Sequence, residues 1–334
     1  MTELADEVCR VADSSGFAGA IRVHRNGRTE LNIAFGMADR AHGIAATTTT
    51  RYATASGTKG FTALVVMRLV ETGVLQLSMP VRTLLGDDLA LIDDRVTIEH
   101  LLAHRSGIGD YLDEDLIEDS SDYVMTRAVH ELTSATAFLA MLDGHEQRFE
   151  PGAQFVYNNG AYIVLALAAE RASGRSFHDL VDEIVVRPAG LVSTSFVRSD
   201  ELPGDCAIGY LHQTGLRSNV LHLPVLGNGD GGIYTTLDDV DALWSALFSG
   251  RIVSATTVAE MIRPRSRDAS GTRRYGLGFW LHASNDTILL EGSDAGVSFR
   301  AAHRQSTQTA FTVMSNWSDG AWPVARALKP LIDD

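Results

Sequence analysis

Ser56-Gly57-Thr58-Lys59 sets a hydroxyl and an amine three residues apart. On a helix that spacing puts both on one face, so Lys59 can reach the Ser56 hydroxyl. A hydroxyl is a weak nucleophile until a neighbour takes its proton, and a buried lysine can be neutral enough to do so. An S-x-x-K pair arises by chance roughly once in a chain of this size, so the weight lies in its surroundings. Ser56 stands where a Thr-rich loop meets an apolar helix, at the positive end of that helix. Lys59 is a charge near the start of an otherwise apolar run, which is costly without a purpose. A second pair, Tyr157 and Asn159, follows the turn Phe149-Glu150-Pro151-Gly152 and precedes the apolar run from Ala161. The tyrosine can shuttle a proton, and the asparagine offers both a donor and an acceptor. Read structurally instead, Tyr157 is core and Asn159 a helix N-cap. Together the residues describe nucleophilic attack on an ester or amide carbonyl through a covalent intermediate.

Other constellations are weaker. His100 and His104 have a zinc-ligand spacing, but Leu101 stands where H-E-x-x-H needs glutamate and no third ligand is apparent, so neither a metal nor another cofactor is expected. Gly227–Gly232 (GNGDGG) is rich enough in glycine for a phosphate loop but lacks a preceding strand and a Lys-Ser/Thr ending, and reads as a turn. No G-x-S-x-G elbow is present, which argues against an α/β-hydrolase. Asp110–Asp122 carries seven carboxylates and no base, either a solvated loop or a lid over a site.

These residues need elements to hold them. Residues 2–14 suit an amphipathic helix. Ala18–His24 and Thr29–Gly36 read as strands joined at Asn26-Gly27, a type I′ hairpin signal. From Ser56 to about Arg263 the pattern is mostly helical: Gly57–Thr72 stopping at Gly73, a helix N-capped by Thr97, Ala161–Ala172 before Gly174, and Leu237–Ser249 with Asp238 and Asp239 at its positive end. Strands return at Tyr275–Leu281, Thr287–Leu290, Val297–Ala302 and Ala310–Ser315, and a helix at Ala321–Ile332 closes the chain. The expected fold is α+β: an antiparallel sheet built from both chain ends and flanked by helices, with a mostly helical domain inserted. The expected domains are 1–55 with 265–334, and 56–264, the active site lying between them.

Several blocks now resemble one family in its own order: ATASGTK at Ala53–Lys59, LLAHRSG at Leu101–Gly107, FEPGAQFVYNNGAY at Phe149–Tyr162, GDGGIYTT at Gly229–Thr236 and YGLG at Tyr275–Gly278. The chain resembles the serine β-lactamase and penicillin-binding-protein superfamily, in its β-lactamase-related esterase and peptidase branch. The resemblance implies that Ser56 is acylated and that Lys59 accepts or relays its proton. Tyr157 would be the companion base that protonates the leaving group, and Asn159 would hold Lys59 and the substrate amide. The family's strand motif, Lys or His followed by a small residue and Gly, falls on Glu291-Gly292-Ser293. The N–H of Asp294, with that of Ser56, is then the candidate oxyanion hole.

Glu291 departs from that pattern. A carboxylate there would repel a substrate carboxylate by roughly 4 kcal/mol at about 4 Å, and could pair with Lys59 and keep it protonated; alternatively its side chain points elsewhere and only the strand backbone matters. The expectation is weak β-lactamase and carboxypeptidase activity, with neutral esters or amine-bearing substrates preferred. The leading reading is a serine hydrolase of esters or amides. Alternatives are a D-amino-acid amidase or peptidase, an acyltransferase, or a catalytically weak binding protein. A formal net charge of −14 disfavours nucleic acid and anionic membranes as partners, leaving a small-molecule ester or amide, in a monomer or small homo-oligomer. Cys9 and Cys206 cannot build a disulfide framework. With no apolar run of about 18 residues and no cleavable leader pattern after Met1, a cytoplasmic location is expected.

Overall fold

The computed structural model describes residues 3–114, 117, 122–268 and 270–333; Asp115, Glu118 and Asp119 of the acidic run lie outside the described residues. In chain order the elements that matter are α1 (Glu3–Ser15), β1 (Gly19–Arg25), β2 (Arg28–Phe35), α2 (Thr58–Glu71), α3 (Ile98–Leu102), α4 (Gly160–Ser173) and α5 (Leu237–Phe248). They are followed by β3 (Ser266–Arg267), β4 (Arg273–Tyr275), β5 (Trp280–His282), β6 (Thr287–Asp294), β7 (Val297–Arg304), β8 (Thr309–Ser315) and α6 (Ala321–Leu328).

The strands form one antiparallel sheet in the order β2-β1-β8-β7-β6-β5-β4-β3. Both ends of the chain meet in it, where β1, second in that order, pairs with β8, third, in the register Ile21↔Val313. The β1–β2 hairpin turns at Asn26 and Gly27 with φ of 52° and 71°, as a type I′ turn requires. Strand alternation sorts the two faces. Ile21, Val23, Leu289, Ala302 and Val313 pack with Ala5, Val8, Val324 and Leu328 of α1 and α6. Ala20, Leu290, Phe299, Ala301 and Met314 belong to the larger core that holds α2, α4 and α5.

The central helix α2 is apolar all round because protein surrounds it, and every residue from Thr58 to Met67 is buried. Gly57 and Gly60 let it approach the sheet: a Cβ would lie 2.7 Å from the Phe299 ring at Gly57 and 2.5 Å from Leu290 at Gly60. Fully burying a side chain such as Leu64 contributes about 1.5–3 kcal/mol, and this contact fixes where the helix's first turn, with Ser56 and Lys59, meets the edge of β6. Thr97 caps α3 in a capping box with His100, and Thr236 caps α5 through Asp239 N–H.

The structure departs from the sequence pattern in four places. The strand read at Tyr275–Leu281 is two, β4 and β5, parted by a tight turn in which Gly276 N–H bonds Phe279 O at 3.0 Å. β6 continues four residues beyond Leu290, because its pairing with β7 runs to the turn at Ala295-Gly296. The closing helix ends at Leu328, and a separate turn starts at Pro330; the proline has no N–H with which to extend it. The inserted segment holds long irregular stretches, and its Ile233–Thr235 and Ser195–Phe196 form a small sheet with Tyr52–Ala53, which precedes it, strands too short to show a period. Among the described residues no helix is long and apolar enough to cross a membrane.

Candidate active site

Ser56 sits in a 3-10 turn, Ala55–Gly57, that runs directly into α2. Ala55 before it takes φ of 44°, a left-handed conformation unusual for a residue with a Cβ and of the kind found at functional turns. Lys59, 2% exposed, points back along the helix. Its Nζ lies 2.8 Å from Ser56 Oγ, 2.7 Å from Asn159 Oδ1 and 2.9 Å from the backbone oxygen of Asp230. Burial pushes the lysine pKa down, while Asp230, Glu114, Asp110 and Asp294 oppose it.

Tyr157 stands beside this pair, with Lys59 Nζ 4.9 Å from its ring centroid. Its ring stacks on Trp280 at 5.9 Å and 9° and meets His104 at 4.3 Å. Burial, with the Glu114 charge next, holds the phenol well above its usual range, against a hydrogen bond with Ser56. The resting tyrosine therefore stands as a protonated donor beside the serine. His104 is fully buried and takes φ of 54°. Its Nδ1 accepts from Asn158 N–H at 3.1 Å, which fixes the proton on Nε2, 3.2 Å from the Tyr275 hydroxyl. His104 thus positions the Tyr157–Asn159 loop. His100 Nδ1 is engaged by Thr97 N–H in the α3 cap.

Asn159 joins Lys59 to the acidic segment. Its Nδ2 donates to Leu112 O at 3.0 Å and Glu114 Oε1 at 2.9 Å, which turns Oδ1 toward the lysine. Its side chain does not cap α4. That helix start is capped across space by Asp110, which accepts from Asn159 N–H at 2.6 Å and Gly160 N–H at 2.9 Å, and by Asn158, which accepts from Ala161 N–H at 2.6 Å. The described part of the acidic run therefore borders the cleft. The Gly-rich turn forms the opposite wall, where Asp230 offers its backbone oxygen to Lys59 and its carboxylate to Tyr111. Glu114, Asp230, His104 and Trp280 were not among the residues that sequence reasoning assigned to the site. The acidic run and the GNGDGG turn were the visible signals for the first two.

The β6 edge corrects the sequence reading in three respects. The Glu291 carboxylate does not meet Lys59: Arg273 Nη1 bonds it at 3.0 Å and Arg300 Nε at 2.6 Å, so two guanidiniums neutralise it. The glycine that the strand motif requires is Gly292, where a Cβ would lie 2.0 Å from Thr54 O and 2.7 Å from Ser56 N. The motif's cation position then falls on Leu290, which is buried in the core. Finally, Asp294↔Val297 closes a two-residue turn and must be a hydrogen-bonded pair, which makes Ser293↔Ser298 a non-hydrogen-bonded one. The Asp294 N–H points at β7. The Ser293 N–H points to the free edge, since β5 pairs with β6 at Ile288 and Leu289. Ser293 lines the cleft with Ser56 on both sides of the nucleophile.

Asp294 lines the same cleft through its side chain. Burial raises its carboxyl to about 7, against the Ala295 N–H that it accepts. Burial likewise raises Asp230, against Lys59 and Tyr111.

Known proteins share the sequence and the fold that carry this site. The chain is 27% identical over 315 residues to PbpX of Bacillus subtilis (strain 168), covering 92% of this chain and 72% of that one. A penicillin-binding protein from Bacillus halodurans superposes with a TM-score of 0.90 at 30% identity, over 97% of this chain and all of that one. The D-amino acid amidase of Ochrobactrum anthropi SV3 shares the fold at a TM-score of 0.80 and 20% identity, over 98% and 99% of the two chains. With the Beta-lactamase family model matching residues 5–331, around a serine–lysine pair held at the edge of a terminal-strand sheet, the chain belongs to the beta-lactamase family.

Proposed function

We propose that the protein is a serine hydrolase that cleaves esters or amides through an acyl-enzyme on Ser56. The observation that carries this is the partner set of Lys59. Asn159 Oδ1 and Asp230 O are obligate acceptors and claim two of its N–H positions. In the neutral amine the third position is a lone pair, and it faces the Ser56 hydroxyl. Burial favours that neutral form.

Lys59 takes the hydroxyl proton as Ser56 Oγ bonds to the carbonyl carbon. The oxyanion lies between the Ser56 N–H and the free-edge Ser293 N–H, donors that contribute several kcal/mol to acyl transfer. On collapse the C–O or C–N bond breaks, and the leaving group takes the Tyr157 hydroxyl proton, which Lys59 replaces. Water then attacks the acyl-enzyme by the reverse relay. Addition of an alcohol or amine acceptor, with product analysis, tells transfer from hydrolysis.

The catalytically weak alternative was motivated by a carboxylate at position 291, and Glu291 is engaged by arginines. Low β-lactamase activity is still proposed, now because Asp294, Asp230 and Glu114 crowd the nucleophile. The reading is tested with a fluorophosphonate probe and a p-nitrophenyl ester. Label at Ser56, lost in Ser56→Ala and slowed by orders of magnitude in Lys59→Ala, supports it; a wild-type protein that takes no label at any pH overturns it.

A further inference from the structure

The cleft has an inner lobe that starts at Ser56 and Ser293 and runs inward between Met125, Val197, Leu223 and Val225. Its charge is one-sided. Glu114, Asp230 and Asp294 line it, and among the described residues no lysine, arginine or histidine does. Lys59 lies behind Ser56 and is spent on three acceptors. Each carboxylate uses an oxygen on a protein donor: Asp294 on Ala295 N–H, Asp230 on the Tyr111 hydroxyl, Glu114 on Asn159 Nδ2. A carboxylate has about four lone-pair sites, so each keeps capacity for a further donor. Three like charges sharing a partly desolvated lobe repel one another, and the arrangement persists next to the nucleophile.

A second observation is independent of the charges. Asn228, 1% exposed, lines the same lobe. Its Oδ1 accepts from Gly229 N–H at 2.8 Å, but its Nδ2 has no partner. Buried polar groups in folded proteins are nearly all paired. This amide is one of several fully buried polar atoms without a protein partner among the described residues, so it marks a polar floor under the lobe and not a contact with its occupant.

Resting on the acyl-enzyme reading of Ser56, we propose that the inner lobe is an aminoacyl site, in which Asp294, Asp230 and Glu114 hold the free α-ammonium of the substrate. Preferred substrates are then esters or amides of amino acids, or peptides cleaved after an unblocked first residue. The ammonium supplies three N–H donors to carboxyls whose lobe has no cation among its described lining residues. The residue's side chain lies along the apolar wall of Met125, Val197, Leu223 and Val225. Asp294 directly follows Ser293, whose N–H faces the reacting carbonyl, so the ammonium two bonds from that carbonyl carbon has a carboxyl beside it. A substrate carboxylate in this lobe meets only acceptors or like charge instead.

The test compares phenylalanine p-nitroanilide and methyl ester, in both D and L forms, with their N-acetyl counterparts. In the wild type the unblocked form of the accepted enantiomer is cleaved with a kcat/KM higher by about tenfold or more, carried mainly by KM, as expected for charged hydrogen bonds lost on acetylation. Asp294→Asn keeps an oxygen for Ala295 N–H while removing the charge. It shrinks the ratio of unblocked to acetylated substrate toward one, and Glu114→Gln does the same to a smaller degree. Equal losses on both substrates mean that Asp294 is only structural, and overturn the proposal. So do a wild-type ratio near one, or activation by Ca²⁺ or Mg²⁺ in place of a requirement for the amine. Fluorophosphonate labelling separates the two levels. Label at Ser56 with a ratio near one overturns the aminoacyl site and leaves the hydrolase; no label overturns both.

Discussion

Alanine at position 292 would place a methyl carbon 2.0 Å from Thr54 O, 2.7 Å from Ser56 N and 2.9 Å from Gly57 N. All three are backbone atoms of the nucleophile's own turn, and no side-chain rotation relieves them. To restore an ordinary contact near 3.4 Å, β6 must retreat from the turn by about 1.4 Å. An oxyanion donor at about 2.7–3.1 Å then falls out of hydrogen-bond range. Losing one such donor costs a factor of about 10²–10³ in kcat, while forcing one methyl into a packed contact costs about 1–3 kcal/mol of stability, a few degrees in melting temperature. Gly292→Ala should therefore stay folded, with ester turnover and fluorophosphonate labelling reduced about 100-fold or more. Gly204→Ala, where a Cβ meets nothing within 4 Å, is the control and should match the wild type in both. Thermal unfolding monitored beside the labelling rate separates the two effects. Turnover within about threefold of wild type in Gly292→Ala would refute the placement of the oxyanion hole between β6 and the Ser56 turn.

Two further outcomes follow from the charges around the cleft. Glu291→Gln strands two half-buried guanidiniums and should lower stability by about 1–2 kcal/mol in denaturant unfolding while changing Ser56 labelling by less than about threefold; a collapse of labelling would show that the carboxylate acts on the nucleophile after all. Asp294, raised to about 7 in the fold by burial and the neighbouring Glu114 and Asp230 charges, holds its proton between its usual carboxylate range and neutrality, where the unfolded chain has lost it. Its contribution to stability is therefore present at the acid end of that window and is lost as pH rises through about 7. The wild-type melting temperature should fall from pH 5 to pH 7.5 more steeply than that of Asp294→Asn, and equal slopes would contradict the raised carboxyl.

What the sequence made legible was local. The Asn26-Gly27 turn, the Thr97 cap and the apolar run of α2 are each decided by residues within a few positions of one another, and all are found close to where the pattern put them. Ser56, Lys59 and Asn159 could be brought together on paper because one spacing is helical and the other lies in a block with a family resemblance. Glu291 shows where such reading ends. Its neutralisation depends on Arg300, nine residues away across the β6–β7 register, and on Arg273, eighteen away on β4; composition around position 291 contains neither fact. The N–H that faces the free edge of β6 is that of Ser293 and not of Asp294, because the parity of a hairpin ladder is set by its turn. Asp230 was passed over for another reason. It holds Lys59 with a backbone oxygen, which every residue possesses and no motif can advertise.

The carboxylates around the inner lobe also set the strength of the base. Burial lowers the Lys59 pKa, and Asp230, Glu114, Asp110 and Asp294 raise it. With the lobe empty, these carboxyls, to the extent that they are ionised, help to hold the lysine proton and so oppose the neutral amine that attack on a carbonyl needs. A substrate ammonium seated among those carboxylates cancels part of their field and adds a positive charge on the same side of Lys59. Both effects favour the neutral lysine, so binding of the correct substrate sharpens the base that will act on it. The consequence is kinetic. The rising limb of kcat against pH reports the base in the enzyme–substrate complex, and it should lie at lower pH for an unblocked amino-acid ester than for its N-acetyl counterpart with the same leaving group. The limb in kcat/KM for the acetylated ester reports the base of the free enzyme, and should stay where the empty lobe sets it. Coincident limbs for the two esters would show that the lobe's charges do not reach Lys59, and the coupling of recognition to activation would fall even with the nucleophile correctly assigned.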